Sequence, residues 1–282
     1  MNRLKPTLIS AIVIGLLAGS AVGVAAQADA VPATASAGCD EPLVEPGEYE
    51  GTNDFEEAAQ GYWVVVPAGY AELAPAPLIL WLAAGGGTLD ENIGWWRPYL
   101  DAAESIFVVA EQTSFDHRGA PTLTALIDRL EAEYCIDTRR VHAMGQSSSG
   151  PKAAGLACDA SDRIASFFVA LKPFVGCTPE RPVPLLAMTG DPERSVVTRS
   201  AEYWSEAYGC DSEPVIEELG SGVTRTAYQG CLADIVLYDV RGAGHQFIFK
   251  ECVSDDAFCY TNEVFDQLIE AERFFAEHPL PE

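Results

Sequence analysis

The sequence predicts an α/β protein, a single domain with one mainly parallel sheet and helices on both faces. Short apolar strands alternate with amphipathic helices along most of the chain, as in parallel sheets joined by helical crossovers. The 282 residues, 48% of them apolar, suffice for one large domain with a real core. Neither an internal repeat nor a second domain is visible in the pattern.

Taken in order, "GYWVVVP" (61–67) reads as a strand, and the Pro-rich "AELAPAP" as a loop. "LILWLAA" (78–84) reads as a buried strand that ends in Gly85-Gly86-Gly87, followed by a helix over about 92–105. After the strand "IFVVAE" (106–111), "TLTALIDRLEAEY" (122–134) places Leu123, Leu126, Ile127 and Leu130 at helical spacing. "RRVHAMG" (139–145) is a strand that runs into three serines and the helix "PKAAGLAC" (151–158). "ASFFVAL", "PLLAMTG" and "DIVLYDV" are further strands; "SAEYWSEAYG" and "NEVFDQLIEAERFFAEH" are helices. Sites in such sheets lie beyond the carboxyl ends of the strands, so reactive residues are expected just after them.

Four groups stand in such places. Ser147, in "HAMGQSSSG", lies between a strand and a helix, where a G-x-S turn presents a nucleophile. His245, in "GAGHQF", follows the late strand "DIVLYDV", whereas His142 reads as a strand or core residue, His117 lies in a polar loop and His278 is near the C-terminus. Between the serine and the histidine, "GDPERSVV" offers two carboxylates, Asp191 and Glu193, either of which could orient an imidazole. An oxyanion hole needs two backbone N–H groups: Ser148 is placed for one, and Gly85 or Ala84 for the other. Trp95 and Trp96, near that loop, could stack on an aromatic or sugar substrate or could pack a core edge.

Together these residues resemble the secreted polyhydroxybutyrate depolymerase and feruloyl esterase family of α/β-hydrolases, over roughly residues 60–278. "PLILWLAAGGG" is similar to that family's Pro-Leu-Val-Val-x-Leu-His-Gly-Gly segment, and "IDTRRVHAMGQSSSG" to its strand and Gly-x-Ser-x-Gly-Gly elbow. "WSEAYGCD" is similar to its Trp-x-x-x-Asn-Gly-Cys, and "VRGAGHQF" to its Gly-Gly-Gly-His-x-Trp. The resemblance implies the α/β-hydrolase fold and a serine carboxylesterase acting through an acyl-enzyme on Ser147. The implied substrates are feruloyl or acetyl polysaccharide esters or hydroxyalkanoate esters, and the implied chemistry needs neither cofactor nor metal. The chain departs from the family at Ala83 and Ala84, where His-Gly is usual, and at Ser149, where the elbow's second glycine is usual. A gap-free match puts the family's aspartate on Glu193; Asp191 fits if the loop is shifted. Two alternatives stay open: an acyltransferase or peptidase on the same fold, and a catalytically inactive binding protein.

The rest of the sequence bears on location. A weakly basic start and an apolar run from Leu8 to about Val24 read as a signal peptide over 1–26, with cleavage after Ala26 or Ala30. An Ala, Ser and Pro-rich stretch (27–38), expected to be a disordered linker, leads into a catalytic domain over 39–282. The expected location is secreted or periplasmic, with no membrane span. The net charge of −25 argues against nucleic acid and anionic membranes as partners. Eight cysteines in an exported chain favour disulfides over a zinc site, since no CxxC pair or Cys/His cluster occurs. The family's cysteine positions imply that Cys210 pairs with Cys231, closing a segment (211–230) with little core-forming pattern. Cys252 with Cys259 and Cys158 with Cys177 are plausible local pairs, which leaves Cys39 for Cys135.

Overall fold

The computed structural model describes residues 33–55, 58–84, 88–111, 119–172, 177–252 and 258–281. The expected signal peptide and the first part of the linker lie outside these, as do Gly85 and His117. The strands are β1 (Gly47–Phe55), β2 (Ala58–Val66), β3 (Ala76–Leu82), β4 (Ile106–Ala110), β5 (Ile136–Gln146), β6 (Ser166–Ala170), β7 (Leu185–Thr189), β8 (Val215–Gly220), β9 (Val223–Ala227) and β10 (Ile235–Val240). They form one sheet in the order β1-β2-β4-β3-β5-β6-β7-β10-β9-β8. The six central strands from β4 to β10 are mutually parallel, and antiparallel pairs close both flanks. A separate pair, β11 (Phe247–Phe249) and β12 (Cys259–Thr261), is parallel.

The helices are α1 (Tyr70–Leu73), α2 (Leu89–Trp96), α3 (Gly119–Glu133), α4 (Gly150–Asp159), α5 (Arg194–Ala207) and α6 (Gln267–Glu277). Strand periodicity sorts the core into two layers. Leu78, Leu80 and Leu82 of β3 join Leu126 and Ile127 of α3, Ala153 and Leu156 of α4, and Val197 and Trp204 of α5 in one cluster. Ile79 and Trp81, their neighbours on the same strand, join Ile93 and Trp96 of α2 and Phe274 and Phe275 of α6 in the other. Both faces of β3 are therefore covered, which is why it reads as an unbroken apolar run.

The structure corrects several expectations. Near the end of the expected linker, Ser36 is buried, donates to the Tyr134 carbonyl at 2.8 Å and accepts from the Ile136 amide at 2.9 Å. The segment 211–230 holds the β8–β9 hairpin, which extends the sheet through β10. Five of the six residues of β8 are exposed, so no apolar pattern marks it. The helix expected at about 92–105 starts earlier, where Thr88 and Glu91 form a capping box, and gives way after Trp96 to a 3-10 turn containing Pro98. The last helix starts only at Gln267, because Asp266 caps it by accepting from the Leu268 and Ile269 amides.

The four disulfides join Cys39 to Cys135, Cys158 to Cys177, Cys210 to Cys231 and Cys252 to Cys259, the pairs anticipated above. Cys210–Cys231 ties the end of α5 to the approach to β10, the strand that leads to His245.

His142 lies in the core, as read from the sequence. Its Nδ1 is 2.9 Å from Ser166 Oγ, its ring stacks on Phe275 at 4.5 Å, and its buried Nε2 has no hydrogen-bond partner among the described residues. Burial pushes its pKa down to about 3. Between that value and the ordinary one near 6.5, the unfolded chain takes up a proton that the folded chain does not. His142 therefore costs no stability above pH ~6.5 and lowers it as pH falls towards 3, by about 1.4 kcal/mol per pH unit. In thermal unfolding from pH 7.5 to 4.5, His142→Gln is expected to show a shallower fall in Tm than the native chain; equal slopes would refute this.

Candidate active site

The nucleophile turn is built by β5, which lies in mid-sheet between β3 and β6. The strand ends at Gln146, a 3-10 turn (Ser147–Ser149) follows, and α4 runs back beneath the sheet. Ser147 has a φ of +54°, a left-handed conformation that strains a non-glycine residue. Ser147 is half-buried between strand and helix, a setting compatible with a nucleophile elbow.

The small residues around it divide clearly. A Cβ at Gly145 would stand 2.4 Å from the Ser149 carbonyl oxygen, so only glycine fits. At Gly150 the nearest atoms are 3.7 Å away, which a side chain tolerates. Ser149, in place of the family's glycine, is fully buried; its Oγ donates to the Gln146 carbonyl at 2.9 Å and accepts from the Gln146 amide at 3.0 Å. The Gln146 side chain in turn accepts from the Ser149 amide. A reciprocal hydrogen-bonded box thus holds the turn at the departure from the family pattern. Gly145→Ala is expected to collapse the turn, giving little soluble protein or protein that no longer reacts at Ser147. Wild-type yield and reactivity in that variant would show that the close approach is not needed.

The acid loop leaves β7 at Gly190 and packs against the loop after β10. A Cβ on Gly190 would lie 2.5 Å from the Ala243 carbonyl oxygen, and the Asp191 amide donates to that same oxygen at 2.9 Å. The two carboxylates of this loop have different partners. Glu193 Oε1 is 2.9 Å from His245 Nδ1. Asp191 accepts instead from the Gly242 amide at 3.0 Å and from Arg194. Arg194 also donates to Asp239 of β10 at 2.5 Å. The Arg194 guanidinium and then the Gly242 N–H hold the Asp191 carboxyl below its usual range. The structure thus places Glu193, not Asp191, beside the imidazole; Asp191 clamps the loop that carries it. A carboxylate can only accept, so Nδ1 carries the proton and Nε2 is left as the basic nitrogen. Among the described residues Glu193 Oε2 is buried with no hydrogen-bond partner, and His245 is the donor to this carboxylate.

β5, β7 and β10 run parallel, so their carboxyl ends, from which Ser147, Glu193 and His245 follow, share one edge of the sheet. The structure describes Ala84 and the two tryptophans. The Ala84 amide donates to Asn92 Oδ1 at 2.8 Å, and Asn92 also reaches the Ala84 and Thr88 carbonyls. In this structure that N–H is paired with Asn92; Gly85 lies outside the described residues. Ser148 is half-buried in the first turn after the elbow. Trp96 is fully buried against Trp81, Phe107 and Phe249, so it is a core residue and not a substrate contact. Trp95 is half-buried, 5.3 Å from Phe247 and 5.8 Å from the exposed Phe258, beside the histidine loop. Gln146, Asn92, Arg194 and Asp239 were not found from the sequence. Only Gln146, inside the G-x-S motif, carried a local signal. Among the described residues no group of three or more His, Cys, Asp and Glu could hold a metal ion, and no helix is long and apolar enough to cross a membrane.

No family model and no curated protein sequence matches the chain. Solved structures do match in fold. An acetyl xylan esterase from Aspergillus awamori superposes with a TM-score of 0.55 at 13% identity, over 71% of this chain and 94% of its own. An esterase from Thermogutta terrifontis gives 0.53 at 13% identity over 82% and 92%. A feruloyl esterase module from Clostridium thermocellum gives 0.51 at 12% over 77% and 88%. The chain has the α/β-hydrolase fold. Ser147, Glu193 and His245 come in that order along the chain, each after a strand of the parallel sheet.

Proposed function

We propose that the protein is an exported serine carboxylesterase. The observation that carries this reading is the 2.9 Å contact between Glu193 Oε1 and His245 Nδ1, on an α/β-hydrolase sheet that also bears the strained Ser147. In this mechanism His245 Nε2 takes the Ser147 proton as Oγ attacks the ester carbonyl, and Glu193 stabilises the imidazolium. Ser148 supplies one oxyanion amide and the loop at Gly85 the other. The imidazolium then protonates the leaving alkoxide, and water activated by His245 clears the acyl-enzyme. Feruloyl or acetyl esters of polysaccharides, or soluble hydroxyalkanoate esters, are the substrate classes; the structural neighbours include an acetyl xylan esterase and a feruloyl esterase module. The four disulfides support an oxidising compartment, outside the cell or in the periplasm.

A second reading, an inactive α/β-hydrolase-fold binding protein, draws on the Ala84 amide being bound to Asn92. Labelling with a fluorophosphonate probe separates the two. The esterase reading expects stoichiometric modification that maps to Ser147; an intact, folded protein that takes up no probe would leave the binding reading in its place.

A further inference from the structure

We propose that Gln267 is a positioning residue that sets the spacing between the nucleophile turn and the histidine loop; this rests on the serine-esterase reading above. Gln267 is the first residue of α6, and its side chain is completely buried. Its Oε1 accepts from the Ile248 amide at 2.8 Å, and its Nε2 donates to Gln146 Oε1 at 3.4 Å. Ile248 lies in β11, three residues beyond His245. Gln146 directly precedes Ser147, and its side chain also accepts from the Ser149 amide. One buried side chain thus bridges backbone on the histidine side to the box that holds the serine turn, across 121 residues of sequence.

The polarity of this bridge is determined. A backbone N–H at Ile248 requires an acceptor, so the Gln267 oxygen faces it and the NH₂ faces Gln146. Gln146 Oε1, already accepting from Ser149, needs a donor there. An amide supplies an acceptor at one end and a donor at the other at every pH, whereas a carboxyl of this length does so only while protonated. The histidine loop is stiffened from its own side, where Gln246 Oε1 accepts from the Gly244 amide at 3.3 Å and Gln246 Nε2 donates to the Cys259 carbonyl at 3.2 Å. The bridge therefore joins two locally rigid pieces, and its length is transmitted to the approach of His245 to Ser147. Misplacement of a catalytic pair by about 1 Å is worth on the order of a hundredfold in rate.

Gln267→Met keeps the bulk and removes both hydrogen bonds. It is expected to lower kcat on p-nitrophenyl acetate 10- to 100-fold with KM within about twofold of the native value. Gln267→Glu keeps the shape and gives a second readout. A buried carboxyl holds its proton to higher pH than an exposed one, and the protonated form can still donate to Gln146. Once ionised it presents an acceptor to an acceptor. The ratio of its fluorophosphonate labelling rate to that of the native chain is expected to fall at least tenfold from pH 6 to pH 9; a structural filler would give a flat ratio. Near-UV circular dichroism confirms that each variant is folded, and should Gln267→Met fail to fold, the Gln267→Glu profile decides. A folded Gln267→Met with native kcat, or a flat Gln267→Glu ratio, overturns the positioning role while leaving the esterase reading intact. Failure of the native chain to label at all overturns that reading and this inference with it.

Discussion

Ser147→Ala is expected to abolish hydrolysis of short p-nitrophenyl esters, by on the order of 10⁴- to 10⁶-fold in kcat, while Ser148→Ala and Ser149→Ala retain measurable activity. Three adjacent serines make this a sharp comparison. Ser147 alone has the left-handed φ that lifts a side chain off the strand end. The Ser149 hydroxyl is turned inward to the Gln146 backbone, so its loss acts on stability, by about 1–3 kcal/mol for a stranded buried amide, and not on the reaction directly. The role proposed for Ser148 uses its backbone N–H, which its alanine variant keeps. The measurement is steady-state kinetics with thermal melts in parallel. Native-level turnover in Ser147→Ala, or loss confined to Ser148→Ala, would overturn the assignment.

Glu193→Gln is expected to reduce kcat by roughly 10²- to 10⁴-fold, and Asp191→Asn by about tenfold or less. The glutamine amide cannot stabilise an imidazolium, and its NH₂ can face Nδ1 and drive the proton to Nε2, the nitrogen that must be free to act as base. Asparagine at 191 keeps an oxygen for the Gly242 amide and weakens only the pairing with Arg194, at a site where the carboxylate is half-exposed and solvent screens the charge. The Arg194 contact to Asp239 remains to tie the acid loop to β10. Because Asp191 acts on the loop, its variant should lower thermal stability at neutral pH more visibly than it lowers turnover. That contribution is present above the ordinary aspartate range and is lost as pH falls through the depressed value of the folded state. Greater kinetic damage from Asp191→Asn than from Glu193→Gln would reverse the roles.

Features set within a few residues of chain were legible in advance. The run "RRVHAMGQSSSG" announces a strand, a tight turn and a helix, since each depends on its own apolar period, glycine and small residues. The order of serine, carboxylates and histidine, each after an apolar run, placed them on one sheet edge, because parallel strands put all their carboxyl ends on the same side. What the local pattern could not reach was any choice made by a neighbour distant in sequence. Asp191 and Glu193 stood level, aspartate by chemistry and glutamate by spacing, until the Ala243 carbonyl and Gly242 amide drew Asp191 away and left Glu193 to His245. Trp95 and Trp96 are adjacent and alike, yet the turn of α2 buries one between Trp81 and Phe107 and leaves the other at the rim. Ala84 stood open as an oxyanion donor in the sequence, and nothing there showed that Asn92, eight residues on, pairs with its N–H. β8 carries no apolar period because it is an exposed edge strand, held by backbone bonds to β9 and not by burial. The Gln146–Gln267 bond has no sequence signature at all: two glutamines are ordinary polar residues until folding removes water from both and makes each the partner of the other.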